Sequence, residues 1–74
     1  MDEKFINIVS DILKIGPDCL KEDSTAESIP GWDSLTHWAV IERLEDVYGI
    51  EFTMDEAMDF KNLGEIYDTL KRKL

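Results

Sequence analysis

Hydrophobic residues recur at helical spacing along most of this chain and predict four helices. The first is expected from about Asp2 to Lys14, since its apolar positions fall on one face of a helix. The residues of this stripe are Phe5, Ile6, Ile8, Val9, Ile12 and Leu13. Gly16-Pro17 is expected to end the helix, because proline disfavours helical backbone in the residue before it.

The second predicted helix runs from Ser34 to about Tyr48. Its expected inward stripe is Leu35, Trp38, Ile41, Leu44 and Tyr48, with Val40 and Val47 beside it. Gly49 follows directly and suits a left-handed C-terminal cap, a conformation that glycine adopts without a steric penalty. The pattern therefore predicts both ends of this helix.

Two short sequence motifs after Gly49 predict the starts of two further helices. Thr53-Met54-Asp55-Glu56 has the spacing of a capping box and predicts a short third helix over residues 54–59. Asn62-Leu63-Gly64-Glu65 predicts the start of a fourth helix. Its expected inward residues are Leu63, Ile66, Tyr67 and Leu70. Lys71-Arg72-Lys73 comes at its C-terminal end, where positive charge is favourable.

Residues 15–33 form a long loop between the first two helices. They contain Gly, Pro, Ser, Thr and Asp, with apolar anchors at Ile15, Leu20 and Ile29. Such a loop is usually functional or holds a short turn, which Ser24-Thr25-Ala26-Glu27 is suited to cap. Since no strand pattern occurs, we predict one all-α domain over residues 1–74, a four-helix bundle with a long first loop and a short third helix.

Length and charge restrict the class of protein. A chain of 74 residues buries a modest core and has little room to enclose an active site. The formal net charge of −9 argues against a nucleic-acid partner and favours a monomer. It also directs association toward proteins with basic patches.

The cysteine content and the N-terminal residues bear on localisation. Cys19 is the only cysteine, so no disulfide can form within the chain, which favours a reducing compartment. The N-terminal residues lack the basic and apolar regions of a signal peptide, and no apolar run reaches membrane-spanning length. We therefore expect a cytoplasmic protein with no membrane partner.

The residues needed for most catalytic and metal sites are missing. One histidine and one cysteine are too few for a zinc site without many carboxylates, and neither a calcium loop nor a phosphate-binding glycine loop occurs. A catalytic triad would need Ser34 and His37, which are expected to face solvent one helical turn apart. We therefore predict no resident metal and no enzyme.

The remaining chemistry lies in residues 31–35, Gly-Trp-Asp-Ser-Leu. Asp33 or Ser34 suits the N-cap of the second helix, and such a residue often does nothing else. Alternatively, a phosphodiester on Ser34 would be stabilised by the helix dipole and the free N–H groups. Asp33 would then help to hold a metal ion during attachment, and Gly31 would let the chain turn and leave the hydroxyl accessible.

Asp33-Ser34-Leu35, followed by a helix that ends in Glu45-Asp46-Val47-Tyr48, resembles the attachment helix of acyl carrier proteins. The length, the acidity, the long first loop and the short third helix agree over nearly the whole chain. The resemblance implies that Ser34 carries 4′-phosphopantetheine derived from coenzyme A. The terminal thiol would hold an acyl or aminoacyl cargo as a thioester and present it to biosynthetic enzymes.

The chain also departs from the fatty-acid members of that family. Those carry acidic residues soon after the serine, whereas here Thr36, His37, Trp38 and Ala39 follow, and the acids begin at Glu42. Trp32, before the motif, resembles free-standing carriers of specialised pathways. Fatty acyl, polyketide, aminoacyl or peptidyl, and D-alanyl carriers share this scaffold, so the cargo stays open. An unmodified acidic adaptor protein is the alternative from another class.

The resemblance implies a recognition helix over residues 35–48. The expected partner-binding residues are Leu35, Trp38, Ala39, Glu42, Glu45 and Asp46. The expected partners are a phosphopantetheinyl transferase, an acyl- or aminoacyl-activating ligase, and ketosynthase or acyltransferase enzymes with basic patches.

Two aromatic residues close to Ser34 bear on the cargo. Trp38 is expected either to pack in the core or to fill the cleft between the second and third helices, which would favour a short cargo. His37 is expected to be an exposed residue of the first turn.

Overall fold

The computed structural model describes residues 1–74 and contains four α-helices and no strand. The helices are α1, Glu3–Leu13; α2, Ser34–Tyr48; α3, Met54–Met58; and α4, Leu63–Lys73. A single 3₁₀ turn, Pro17–Cys19, lies in the long loop between α1 and α2. The all-α prediction, with a long first loop and a short third helix, is confirmed.

The boundaries of α1 are set by its caps. The Asp2 carboxylate accepts a hydrogen bond from the Phe5 N–H at 2.8 Å, so Asp2 is the N-cap. The helix ends at Leu13, because Lys14 adopts the left-handed conformation with φ 58°. This end agrees with the predicted end near Lys14 within one residue, and Pro17 begins the 3₁₀ turn.

Helix α2 has the predicted length and buries part of the predicted stripe, at Ile41 and Leu44. Gly49 is its left-handed C-cap, with φ 68°, as the sequence indicated. The buried residues are Val40, Ile41 and Leu44. The prediction that Leu35 and Trp38 point inward is wrong, since Leu35 is 82% exposed and Trp38 38% exposed. Apolar side chains lie on both sides of α2, so spacing alone did not select the buried one.

The first loop is fixed to the N-terminus of α4. The Leu63 N–H donates to the Ser24 carbonyl at 3.0 Å, and the Gly64 N–H donates to the Glu22 carbonyl at 2.9 Å. These loop carbonyls therefore satisfy N–H groups that a helix start leaves without partners. A Cβ at Gly64 would lie 3.0 Å from the Glu22 oxygen, so a larger residue would crowd this contact.

The turn predicted at Ser24-Thr25-Ala26-Glu27 is present within the loop. The N–H groups of Ser28 and Ile29 both donate to the Thr25 carbonyl, at 3.1 Å and 3.0 Å. Cys19, by contrast, is exposed and unpaired. The loop is thus held by local hydrogen bonds and by apolar anchors that enter the core.

The core draws on α1, α2, α4 and the first loop. Its members are Phe5, Val9, Leu13, Leu20, Ile29, Trp32, Val40, Leu44, Leu63, Ile66 and Leu70. The hydroxyls of Tyr48 and Tyr67 donate to the two carboxylate oxygens of Asp2, at 3.3 Å and 3.4 Å, and connect α1, α2 and α4. Burial and the nearby Asp2 carboxylate raise the pKa of Tyr48 to about 12.

Helix α3 is stabilised by the predicted capping box. Thr53 Oγ1 accepts from the Glu56 N–H, and the Glu56 carboxylate accepts from the Thr53 N–H. Glu56 also pairs with Lys73 of α4 at 2.8 Å, and this contact, followed by the Thr53 hydrogen bond, lowers the pKa of Glu56. The helix ends at Met58, one residue before the predicted end.

Candidate functional site

The turn before α2 depends on Gly31 and Trp32. Gly31 has φ 87°, in the left-handed region, as the sharp turn required. Its carbonyl accepts a hydrogen bond from Thr36 Oγ1 at 2.7 Å. Trp32 is only 7% exposed and anchors the turn in the core. The start of α2 is therefore held in one position relative to the rest of the domain.

Asp33 is the N-cap of α2. Its carboxylate accepts from the Thr36 N–H at 3.0 Å, and the Asp33 N–H donates to Thr36 Oγ1 at 2.8 Å. The two residues form a reciprocal capping box. Sequence reasoning missed the role of Thr36, although a capping residue followed three positions later by a side-chain acceptor is a recognisable signal.

The capping box shows which of the two candidate residues, Asp33 or Ser34, is the N-cap of α2. Asp33 caps the helix, and Ser34 is its first helical residue. Ser34 is exposed, and none of the hydrogen bonds of the capping box uses its hydroxyl. The serine is thus free of a capping role and accessible to a modifying enzyme.

The capping geometry also fixes the charge beside Ser34. The Thr36 backbone N–H, with smaller contributions from the Thr36 hydroxyl and the Leu35 N–H, holds the pKa of Asp33 below its ordinary value of 3.8. The carboxylate is therefore ionised at neutral pH. Asp33 Oδ1 accepts the bond from the Thr36 N–H.

An apolar cleft of about 530 Å³ adjoins Ser34. Its lining is Ala26, Trp32, Asp33, Ser34, His37, Trp38, Ala57, Met58, Phe60 and Lys61. Trp38 borders this cleft and leaves it open, so the expectations that it packs in the core or fills the cleft are both wrong. Trp38 is partly exposed because of its position on α2. The inward face of this helix starts at His37, and Trp38 lies at the edge of that face.

The expectation that His37 is exposed is also wrong. The residue is half-buried, and both ring nitrogens are engaged. Trp32 Nε1 donates to His37 Nδ1 at 3.1 Å, and His37 Nε2 lies 2.7 Å from the Ala57 carbonyl oxygen. Because Ala57 is 20 positions away, no local sequence signal indicated this contact. With both nitrogens occupied, His37 is not placed as a base for Ser34.

The structure brings most of the predicted partner-binding residues to one surface. Leu35, Ala39, Glu42 and Asp46 are exposed, and Trp38 is partly exposed. They share the outward side of α2, next to Ser34. Glu45 differs, since it is half-buried and its carboxylate accepts from the Phe52 N–H at 2.8 Å.

This geometry suits a covalently attached phosphodiester with a flexible arm. The Ser34 hydroxyl stands at the N-terminus of a helix of 15 residues, where the dipole and the free N–H groups favour a phosphate. The adjoining cleft offers apolar walls to the arm or its cargo. A small helical domain with these features has the properties of a carrier domain.

Comparison with known proteins gives the family. A family model described as a phosphopantetheine attachment site matches residues 3–70. The chain therefore belongs to the phosphopantetheine attachment-site family, as its resemblance to acyl carrier proteins implied. No curated protein matches the chain.

Membership of this family establishes the class of function. The cofactor is 4′-phosphopantetheine, bound covalently to a serine. Domains of this family are carriers rather than enzymes, and they work with phosphopantetheinyl transferases and biosynthetic enzymes. No helix is long and apolar enough to cross a membrane. No group of three or more His, Cys, Asp or Glu side chains is arranged to hold a metal ion.

Proposed function

We propose that Ser34 is the attachment residue and that residues 1–74 form a single carrier domain for an acyl or aminoacyl cargo of a specialised pathway. The observation that carries the proposal is the exposed Ser34 hydroxyl at the first position of α2, which the Asp33–Thr36 capping box leaves free. No other serine of the chain begins an α-helix.

The residues of the turn have separate roles in attachment. Ser34 Oγ forms the new bond to the phosphorus of the pantetheine phosphate and gives up its proton to a base of the transferase. Adenosine 3′,5′-bisphosphate leaves as the P–O–P bond of coenzyme A breaks. Asp33 keeps the helix start in place, and its exposed carboxylate is the group that would contact a metal ion bound by the transferase.

The cargo proposal rests on the surroundings of Ser34. The side chains bordering the cleft include Trp32, Trp38 and Met58, and the acidic residues begin only at Glu42. This differs from general fatty-acid carriers, so we assign the chain to a dedicated acyl, aminoacyl, peptidyl or D-alanyl pathway. A neighbouring gene for an adenylating ligase would favour an amino or aryl acid, and one for a ketosynthase would favour an acyl chain.

Docking is proposed on the outward side of α2. Leu35 and Trp38 supply apolar contact beside the serine, while Glu42 and Asp46 supply charge for basic patches on partner enzymes. These partners are a transferase, an activating ligase, and ketosynthase or acyltransferase enzymes. The net charge of −9 suits a monomer, and the lone cysteine suits a cytoplasmic location.

Intact mass measurement tests the proposal. Incubation with coenzyme A and a broad-specificity transferase is expected to add the mass of one phosphopantetheine group to the wild type and nothing to Ser34→Ala. Ser28→Ala is the matched control, because Ser28 is also an exposed serine of the same region, and it is expected to gain the full mass. No gain in the wild type with several transferases would favour the unmodified adaptor.

A further inference from the structure

His37 joins three segments that meet beside Ser34. The indole N–H of Trp32 can only donate, so its bond to His37 Nδ1 at 3.1 Å makes that nitrogen the acceptor. The proton of the neutral ring is then on Nε2, which donates to the Ala57 carbonyl at 2.7 Å. One side chain thus connects the first loop, α2 and α3.

Helix α3 depends on such contacts for its position. It has five residues, and helices this short are not stable alone in water. Its capping box is internal, and its ion pair Glu56–Lys73 is partly exposed and therefore contributes little. The burial of Ala57, which is 2% exposed, and the bond from His37 fix α3 beside α2, while Phe52 and Phe60, which flank α3, pack against the core.

The bond also satisfies a group that needs a partner. Ala57 lies in the last turn of α3, where carbonyl oxygens have no intrahelical donor. Without His37 this oxygen would have no protein donor and would need water. His37 and Ala57 both line the cleft that Trp38 and Met58 also border, so their bond lies in the wall of the cleft.

The interior offers no preformed space for an acyl chain. None of the cavities of the structure is lined by the fully buried side chains of the core. An apolar chain tethered at Ser34 has two possible locations. It can lie in the open cleft, or it can enter the core by separating α3 from α2, which would break the His37–Ala57 bond.

We propose that His37 is a positioning residue that holds α3 against α2 and so keeps thioester-bound cargo in the open cleft, outside the core. The inference rests on the proposed attachment at Ser34 and assigns cargo selection to His37 rather than to Trp38. It implies that this carrier gains little stability from a longer acyl chain, because the part of the chain that extends beyond the open cleft stays in contact with water.

The first test needs no cargo. In His37→Ala without a prosthetic group, the amide hydrogens of residues 54–58 are expected to exchange faster relative to those of the C-terminal half of α1, which serve as an internal reference. Unchanged relative exchange in α3 would overturn the proposal. This experiment is independent of Ser34, so its failure counts against His37 alone.

The second test compares cargo lengths. Wild type and His37→Ala are loaded from acetyl- and hexadecanoyl-coenzyme A, and intact mass is recorded first, so that failed attachment counts against the proposed function. In the wild type the hexadecanoyl form is expected to melt within about 2 °C of the acetyl form. The hexadecanoyl form of His37→Ala is expected to melt about 5 °C or more above its acetyl form. Equal responses of the two proteins would overturn the proposal.

A second variant keeps the test decisive should His37→Ala fail to fold. Trp32→Phe removes the indole donor to His37 and retains an aromatic side chain in the core. Phe5→Leu is the control, because it also reduces the volume of a buried aromatic side chain but lies outside the cleft and the hydrogen-bonded set. Hexadecanoyl cargo is expected to raise the melting temperature of Trp32→Phe more than that of Phe5→Leu. The same rise in both would contradict a role for the Trp32–His37–Ala57 contacts.

Discussion

Ser34 is free for attachment because its neighbours supply the cap. Asp33 and Thr36 satisfy each other's backbone and side-chain groups, which leaves the first helical residue with no capping role. The sequence showed that a cap and an attachment site were both possible here. The structure places the cap on Asp33, one residue before Ser34, so the cap and the proposed attachment at Ser34 are compatible.

The capping carboxylate gives the start of α2 a pH dependence. The pKa of Asp33 is lowered, so its stabilising effect is complete above its ordinary value of 3.8 and is lost as the pH falls through the lower folded value. When the pH falls below about 3.8, we expect the melting temperature of the wild type to decrease more than that of Asp33→Asn. The reason is that asparagine is also a good N-cap and does not titrate.

Thermal unfolding of both proteins across the acid range checks this prediction. Because the other carboxylates are common to the two proteins, their shared titration cancels in the difference between the melting temperatures. A difference that stays constant from neutral to strongly acidic pH would show that the Asp33 carboxylate does not stabilise the helix through its charge.

At the level of elements, local capping signals predicted most helix ends. Gly49, Thr53 and Asn62 each mark a boundary that the structure contains, because a cap is made within a few residues of the chain. The inward face of α2 was misassigned at Leu35 and Trp38, because the choice between two apolar sides depends on how helices pack. The contact of His37 with Ala57 depends on the position of α3, which no local pattern specifies.

Gly49 is expected to be required for its conformation alone. It has φ 68°, and a Cβ there would meet nothing within 4 Å, so Gly49→Ala should destabilise the domain by about 1 kcal/mol through left-handed backbone strain. Gly16→Ala is the matched control, because Gly16 is equally open but has φ −63°, which alanine adopts readily.

Chemical denaturation of the two variants measures this effect. Gly16→Ala is expected to be neutral or slightly stabilising, since alanine restricts the unfolded chain. Equal losses of stability in both variants would show that the left-handed cap is not the source of the effect at Gly49.

At the scale of the whole molecule, charge governs association. The chain has 17 acidic and 8 basic residues, for a net charge of −9, and Glu42 and Asp46 lie exposed on the side of α2 next to Ser34. A partner with a basic patch is therefore attracted at long range, and salt screens that attraction. The same charge disfavours self-association, which is consistent with the proposed monomer.

We expect the rate of modification by a transferase at low carrier concentration to fall as ionic strength rises. Glu42→Gln should reduce the rate at low salt and flatten its dependence on salt. Glu22→Gln is the matched control, because Glu22 is exposed in the first loop, and it should behave like wild type. Equal effects of the two substitutions would indicate that net charge matters rather than the α2 surface.

The central claim is that Ser34 carries the prosthetic group. Trypsin cleaves after Lys21 and Arg43, so one peptide, residues 22–43, contains Ser34 together with the other hydroxyls of this region. Fragmentation of that peptide by tandem mass spectrometry after treatment with coenzyme A and a transferase locates the added group. The account predicts that the group is on Ser34 alone. A group found on Ser24, Thr25, Ser28 or Thr36 would contradict it.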